Sequence, residues 1–200
     1  MKINLLAIII LLSGITQVIA QDTYKGKFSK TKNFFESDRP IPVGTHKVYD
    51  EDENLSYSIK YDKNGLVRKI YINKNGSTIK QKFPASIDDI KWEEITTGLW
   101  INKQEDANPK YTEFDTERVV KAHYAGYFLN GVPFDNSFIR EKPMSGKLGY
   151  FVEGFSLGMT NLNMGEIRVL KIAPEMGYGS ELTSVIPANS TLIYYIYMME

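Results

Sequence analysis

The sequence contains no cysteine and only two histidines, His46 and His123. Without cysteine the chain cannot form a disulfide or carry a lipid on an N-terminal cysteine, so its stability must come from burial. A zinc site is not expected, because zinc is held mainly by cysteine and histidine side chains. We interpret His123 as a strand residue hydrogen-bonded beneath a sheet rather than as a metal ligand or a base.

The chain also lacks an excess of charge of either sign. Its 24 basic and 24 acidic residues give a net charge of zero and are interspersed along the 200 positions. No basic stripe is available to follow a phosphate backbone, so we expect no nucleic-acid partner. With 42% hydrophobic and 24% charged residues, the composition is that of a globular protein large enough for one or two domains.

Motifs for nucleotide binding and for calcium binding are absent from the sequence. There is no P-loop and no dinucleotide-binding glycine pattern. The acidic run Asp50–Glu53 resembles the start of a calcium loop, but Leu55 and Tyr61 occupy the positions that need glycine and glutamate. We therefore interpret the run as a solvent-exposed turn and expect neither a metal nor a cofactor.

No apolar run reaches the ~20 residues that a membrane-spanning helix needs. The run Leu5–Leu12 follows the positively charged Lys2 and precedes the small-residue pattern Val18–Ala20. This arrangement is typical of a secretory signal peptide, which we predict at residues 1–20, with cleavage near Ala20. The alternative is a membrane anchor, but polar residues interrupt the run too early. The mature protein is predicted to be exported, either periplasmic or secreted, and to have no membrane span.

Composition divides the chain between the signal peptide and the C-terminal half into two segments. Residues 21–44 are polar and basic, and we predict a loosely ordered lead-in that is broken at Pro40–Pro42. Residues 45–96 contain short alternating runs punctuated by Asn64-Gly65 and Asn75-Gly76, which are typical hairpin turns. An antiparallel meander of three or four strands is therefore predicted, followed by a linker. The pattern is similar to MORN-type hairpin repeats, although any β-meander would show the same two turns.

The linker runs from Pro84 to Thr97 and carries one helical signal. Ser86 stands three residues before Asp89, a spacing that predicts a cap for one short turn. We place the domain boundary at residue 97, so the last predicted domain covers residues 97–200.

This last segment is organised around the stretch Val119–Ser137. Its first half alternates apolar residues on one face of a predicted strand, and Asn130-Gly131 supplies a tight turn. Beyond the turn, Phe134 and Asp135 set an aromatic ring beside a carboxylate. Further motifs follow in the order Gly149–Gly158 (GYFVEGFSLG), a strand Ile167–Ile172, Ala173-Pro174, Tyr178-Gly179, Ile186-Pro187-Ala188 and an alternating strand Thr191–Met199.

In this order the motifs resemble those of the FKBP-type peptidyl-prolyl cis-trans isomerases, from about Gly98 to Glu200, roughly half of the chain. The resemblance implies an α+β fold class: an antiparallel sheet wrapped over one short helix, here preceded by the small antiparallel β-meander. It also implies a shallow apolar pocket between the sheet and the helix. The residues that it places in catalysis are Tyr124, Asp135, Phe155 and Tyr178, and those that it places in substrate binding are Phe134, Met144, Val152, Ile186 and Tyr194.

The implied reaction is rotation about the X-Pro amide, whose barrier is about 18–20 kcal/mol. No bond is broken, so no nucleophile, metal or cofactor is required. The twisted transition state loses resonance and charge separation, so an apolar, water-poor pocket favours it over the planar ground state. The expected clients are polypeptides that contain X-Pro bonds, and a macrolide is the inhibitor that the resemblance implies.

The resemblance also assigns a role to each site residue. Phe155 is expected to form the floor beneath the proline ring. The Tyr178 hydroxyl is the expected donor to the substrate carbonyl, and a backbone N–H at Val152 is a second donor. Asp135, held by Tyr124 and by Arg140, would orient the pocket or interact with the turning carbonyl.

The sequence departs from the family pattern at several positions. Phe155 stands where the most active members carry tryptophan, and Met144 stands where an aromatic residue is usual. The loops between Pro143 and Gly154 and between Gly179 and Ile186 are slightly short. These departures predict a reduced rate more than a changed fold. They also motivate a second hypothesis, a non-catalytic chaperone or peptide-binding module on the same fold.

Overall fold

The structure is a computed structural model that describes residues 24–32, 38–49, 52–74, 77–102, 114–140 and 142–199. The predicted signal peptide at residues 1–20 and the predicted Asn75-Gly76 turn lie outside these residues. In the part of the chain that is described, no helix combines the length and the apolar character needed to cross a membrane.

The described residues form two antiparallel β-sheets, one α-helix and two 3-10 turns. The first sheet contains, in spatial order, β1 (Tyr24–Lys32), β2 (Asp38–Tyr49), β3 (Leu55–Tyr61), β4 (Val67–Lys74) and β5 (Ser77–Lys82). The second contains β6 (Trp92–Thr96), β7 (Leu99–Asn102), β8 (Val119–Phe128), β9 (Pro133–Asn136), β10 (Met144–Lys147), β11 (Ile167–Ile172) and β12 (Leu192–Met198). Its spatial order is β10-β8-β12-β11-β7-β6, and β9 pairs with β8. The helix is α1 (Glu153–Gly158), and the 3-10 turns are Leu148–Tyr150 and Pro174–Met176.

The first sheet is larger than the predicted meander, because β1 and the start of β2 lie within residues 21–44. The expectation of a loosely ordered lead-in was therefore wrong for these strands. Their many charged residues are compatible with β-structure at a sheet edge, where one side is open. Pro40 and Pro42 pair with β1, whereas the pairing of β2 with β3 begins only at Gly44. The two prolines thus occupy a part of β2 with one paired neighbour, where a missing N–H is tolerated.

Two of the predicted Asn-Gly turns join antiparallel strands as expected. Gly65 has a φ of 82°, and the Asp62 carboxylate accepts hydrogen bonds from the backbone N–H groups of Asn64 and Leu66. Gly131 has a φ of 80°, and its N–H donates to the Phe128 carbonyl at 2.8 Å. Glycine is favoured at both positions because other residues rarely adopt a positive φ.

The linker contains the predicted short turn, which does not extend into a helix. The Ser86 hydroxyl accepts a hydrogen bond from the Asp88 N–H at 3.2 Å, and the Ile90 N–H donates to the Ile87 carbonyl at 3.3 Å. Ile87 and Ile90 are buried, and the chain then enters β6, which pairs with β7. Since β6 belongs to the second sheet, that sheet begins before the predicted boundary at residue 97.

Helix α1 packs on one face of the second sheet. A Cβ atom on Gly154 would lie 2.6 Å from Cγ2 of Ile172, and one on Gly158 would collide with Leu170. Only glycine therefore allows the helix to lie this close to β11. The apolar side chains between the sheet and the helix form one continuous core.

The first sheet covers the opposite face of the second sheet. All seven residues of β12 are buried, because its two faces pack against α1 and against the first sheet. The Tyr127 hydroxyl crosses this interface, donating to the Gly65 carbonyl at 3.0 Å and accepting from the Val67 N–H at 3.1 Å. The N-terminal meander thus shares a core with the rear of the sheet that carries the predicted site.

Candidate functional site

A hollow of about 220 Å³ opens on the face of the second sheet that carries α1. It lies where β8, β10 and β12 meet the N-terminal end of the helix. Its lining is aromatic, aliphatic and thioether in character. The lining residues are Tyr124, Met144, Tyr150, Phe151, Val152, Phe155, Tyr178 and Tyr194.

Phe155 forms the floor of the hollow. It lies on α1 and is 4% exposed. Its ring is edge-on to Tyr194 at 5.0 Å and to Tyr124 at 6.3 Å between centroids, and Phe151 lies 5.4 Å away. Edge-to-face packing places the positive ring edges against negative ring faces, which fixes the orientation of each ring. The floor is therefore rigid and apolar.

A polar cluster borders this aromatic floor. The Tyr124 hydroxyl donates a hydrogen bond to one oxygen of the Asp135 carboxylate, and the Arg140 guanidinium binds the other oxygen. Arg140 also donates to the Tyr124 hydroxyl at 3.1 Å. The β8–β9 register places Asp135 opposite Gly126, which brings the carboxylate close to Tyr124. The three side chains therefore hold one another in a fixed arrangement beside the hollow.

The hydroxyls of Tyr124 and Tyr178 remain protonated near neutral pH. Burial raises the pKa of Tyr124 to about 12, and the hydrogen bond and negative charge of Asp135 add to this rise. Burial, followed by the charge of Asp135, also raises the pKa of Tyr178 above its usual value. Burial lowers the pKa of Arg140, but its contacts with Asp135 and Tyr124 outweigh this effect and raise it. The site thus presents neutral hydroxyl donors beside the ion pair of Asp135 and Arg140.

The structure brings together six of the nine predicted site residues on the hollow. These are Tyr124, Met144, Val152, Phe155, Tyr178 and Tyr194. Asp135 does not line the hollow, but its carboxylate accepts a hydrogen bond from Tyr124, which does. Phe134 is buried behind the wall, edge-on to Tyr194 at 5.5 Å, and Ile186 is buried in the same core. Both are therefore buried in the core and do not line the hollow.

Two lining residues, Tyr150 and Phe151, were missed by the sequence reasoning. Tyr150 ends the 3-10 turn before α1 and is 77% exposed, so its ring extends the rim of the hollow into solvent. The signal was available, because both residues directly precede Val152 in the same motif.

The other cavity and the other clusters of titratable side chains contain none of the predicted site residues and no metal-binding group among the described residues. Among the described residues, no group of three histidine, aspartate or glutamate side chains is placed to hold a metal ion. A larger groove of about 630 Å³ lies between the turns at Lys63 and Asn130, and none of the nine predicted site residues lines it.

Comparisons with known proteins match the C-terminal part of the chain, which contains the hollow. Residues 110–199 match the sequence model of the FKBP-type peptidyl-prolyl cis-trans isomerases. The chain is 38% identical over 84 residues to the FKBP-type peptidyl-prolyl cis-trans isomerase FkpA of Buchnera aphidicola subsp. Acyrthosiphon pisum, covering 42% of this chain and 35% of that protein. It is 40% identical over 78 residues to the peptidyl-prolyl cis-trans isomerase Mip of Chlamydia muridarum, covering 39% of this chain and 31% of that protein. The crystal structure of FkpA from Escherichia coli aligns with a TM-score of 0.46 and 28% identity, over 55% of this chain and 50% of that chain. The chain thus spans about a third of the length of the curated relatives it matches.

Proposed function

We propose that the protein accelerates isomerisation of X-Pro bonds in other polypeptides, because residues 110–199 match the sequence model of the FKBP-type peptidyl-prolyl cis-trans isomerases. The observation that supports this most strongly is the rigid aromatic hollow over Phe155, bordered by the Tyr124, Asp135 and Arg140 cluster. A hollow of about 220 Å³ has room for a proline ring and part of a neighbouring residue.

The physical basis of the catalysis is differential stabilisation of the twisted amide. Rotation removes the amide resonance and its charge separation, so a dry apolar surface favours the twisted form over the planar one. Lowering the barrier by about 5 kcal/mol accelerates the reaction by between three and four decades. No covalent intermediate, metal or cofactor is needed for an acceleration of this size.

Each residue of the hollow has a role in this proposal. The proline ring rests on Phe155, and Tyr194 and Met144 form the walls. The Tyr178 hydroxyl donates to the substrate carbonyl, and the backbone N–H of Val152 is the second donor. Asp135 keeps the Tyr124 ring in place and provides a negative charge beside the turning amide.

We also propose that the protein works in an export compartment. The support is the signal-peptide pattern at residues 1–20, and its clients would be exported polypeptides with X-Pro bonds. Mass spectrometry of the protein isolated from its host should find an N-terminus at Gln21. Detection of a protein that retains Met1 would contradict the predicted cleavage. A macrolide inhibitor should compete with the peptide for the hollow.

A protease-coupled assay on an Ala-Pro-Phe type peptide tests the enzymatic proposal. The purified protein should raise the isomerisation rate above background, and Phe155→Trp should raise it further by extending the floor. Phe155→Leu should lower it, because a branched chain replaces the flat ring. Phe83→Leu is the matched control, since Phe83 lies in the rear core and does not line the hollow. No rate above background together with no change in Phe155→Trp would refute the activity.

The second candidate is a non-catalytic chaperone or peptide-binding module. Phe155 and Met144 depart from the family pattern, and the exposed rim residue Tyr150 provides apolar surface for binding a client chain. This function predicts suppression of client aggregation that survives Asp135→Ala and Tyr178→Phe, with negligible isomerase activity. Loss of suppression in both variants would favour the enzyme instead.

A further inference from the structure

The strand that carries Asp135 has little backbone support of its own. β9 is four residues long and pairs only with β8 among the described strands. Its side away from β8 gains no ladder hydrogen bonds from a neighbouring strand in that part of the chain. The direction of the Asp135 side chain therefore depends on the side-chain contacts that hold this strand.

Asn136 provides such contacts immediately after Asp135. Its backbone N–H donates to the Asp135 carboxylate at 2.7 Å, and its side-chain oxygen accepts from the Phe138 N–H at 3.0 Å. Its side-chain amide nitrogen donates to the Tyr61 hydroxyl at 3.4 Å. Asn136 is 5% exposed, so these partners take the place of water.

Tyr61 belongs to the first sheet, at the end of β3. It is 2% exposed, and the ring of His46 stands edge-on to it at 5.1 Å. Burial and this ring contact leave the Tyr61 hydroxyl little freedom to move. The first sheet thus presents a fixed hydroxyl to the residue that follows Asp135.

We infer that Tyr61 and Asn136 are positioning residues, through which the N-terminal sheet fixes the Asp135 carboxylate against Tyr124 and Arg140. This inference rests on the proposed isomerase function. Its two residues touch neither the hollow nor the substrate, so they act on the rate through Asp135. The N-terminal sheet is then a working part of the site rather than an independent appendage.

The test uses the mature chain, residues 21–200, and the isosteric variant Tyr61→Phe. NMR exchange spectroscopy on an X-Pro peptide should show a rate lowered by about three- to tenfold, since one hydrogen bond to a buried group is lost. The dissociation constant for the same peptide, from chemical-shift titration, should stay within about twofold, because the lining of the hollow is intact. The amide signals of Asp135 and Asn136 should shift.

Tyr195→Phe is the matched control. Tyr195 lies in the same interface between the sheets, and its buried hydroxyl has no hydrogen-bond partner among the described residues. This variant should keep the wild-type rate and the wild-type amide signals of β9. A double-mutant cycle adds a second test: in the Asn136→Ala background, Tyr61→Phe should cost no further rate.

The outcomes separate this inference from the proposed function. Equal rates and equal β9 amide signals in Tyr61→Phe and Tyr195→Phe would overturn the positioning role while leaving the isomerase intact. A wild-type protein without isomerase activity would refute the function. The amide signals of Asp135 and Asn136 would then still test the positioning role of Tyr61. A shift seen in Tyr61→Phe but not in Tyr195→Phe would support this role, and no shift in Tyr61→Phe would overturn it.

Discussion

The Tyr124 hydroxyl donates a hydrogen bond to the Asp135 carboxylate across the hairpin formed by β8 and β9. The tyrosine ring lines the hollow, whereas the carboxylate does not. Asp135 therefore controls the position of a wall residue and places its charge beside the hollow. Arg140, which binds the other oxygen of the Asp135 carboxylate, is about half exposed. The cluster therefore extends from the partly buried Tyr124 ring to the solvent.

Removal of the Tyr124 hydroxyl should reduce activity and stability together. Tyr124→Phe leaves Asp135 without one of its donors, which should cost about 1–2 kcal/mol in the free energy of unfolding. The isomerisation rate should fall by about tenfold, since the wall ring and the carboxylate are no longer fixed to each other. Urea unfolding and the protease-coupled assay measure the two effects. Tyr195→Phe is the control, because Tyr195 does not line the hollow and its buried hydroxyl has no hydrogen-bond partner among the described residues; equal losses in both variants would contradict the role.

Gly126 gives a steric test of the wall behind the hollow. A Cβ atom at this position would lie 2.5 Å from Cζ of Phe134, so Gly126→Ala must displace the buried ring. We expect a loss of about 1–3 kcal/mol in stability from overpacking. Phe134 packs edge-on to Tyr194, so peptide affinity should weaken as well. Unchanged unfolding and unchanged peptide binding would show that the wall is not tightly packed.

His123 should make the fold sensitive to acid. Burial first, and then the positive charges of Arg140 and Lys121, lower its pKa from 6.5 to about 4. Because the folded-state pKa lies below the unfolded value, the unfolded chain binds the extra proton first. The contribution of His123 is therefore fully present above about pH 6.5 and is lost as the pH falls toward 4. At about 1.4 kcal/mol per unit, the loss is on the order of 3 kcal/mol.

The measurement compares urea unfolding of the wild type and of His123→Gln between pH 7 and pH 4. Carboxylate effects are common to both proteins and cancel in the difference. The wild type should lose more stability over this range than the variant. Parallel pH profiles would show that His123 takes up its proton equally in both states.

Removal of the N-terminal sheet should expose the rear of the second sheet. A chain that starts at residue 97 would lose β6 and uncover buried residues such as Tyr127, Phe138 and Tyr195. It should bind hydrophobic dyes and aggregate, because a contiguous apolar patch of this kind is rarely tolerated in solution. Size-exclusion chromatography and dye fluorescence measure this. A monomeric, dye-negative and fully active fragment would show that the sheet is dispensable.

Much of the second sheet could be predicted from the sequence. Asn130-Gly131 and the alternation around it are local signals, and the structure confirms the hairpin they indicate. The hollow residues were found by motif order, since Val152, Phe155 and Tyr178 stand at positions where the family resemblance is specific. Phe134 and Ile186 belong to the same motifs but are buried in the core and do not line the hollow, because motif position does not determine which face a side chain presents.

The elements that were missed depend on contacts distant in sequence. β1 and β6 have weak alternation, so only pairing with their neighbours makes them strands. One feature of the sequence indicates that the rear face of the second sheet is covered. β12 is apolar on both faces, which favours a strand buried between two layers. The identity of the covering layer could not be predicted, because it is set by tertiary packing between distant segments.

The most direct test of the central claim is NMR exchange spectroscopy on an X-Pro peptide with a catalytic amount of the mature protein. Spontaneous isomerisation takes tens to hundreds of seconds. The structure predicts cis–trans exchange at least tenfold faster, which Asp135→Ala should return toward the spontaneous rate. Peptide signals that shift on binding while the exchange rate stays spontaneous would contradict the claim and leave a binding module.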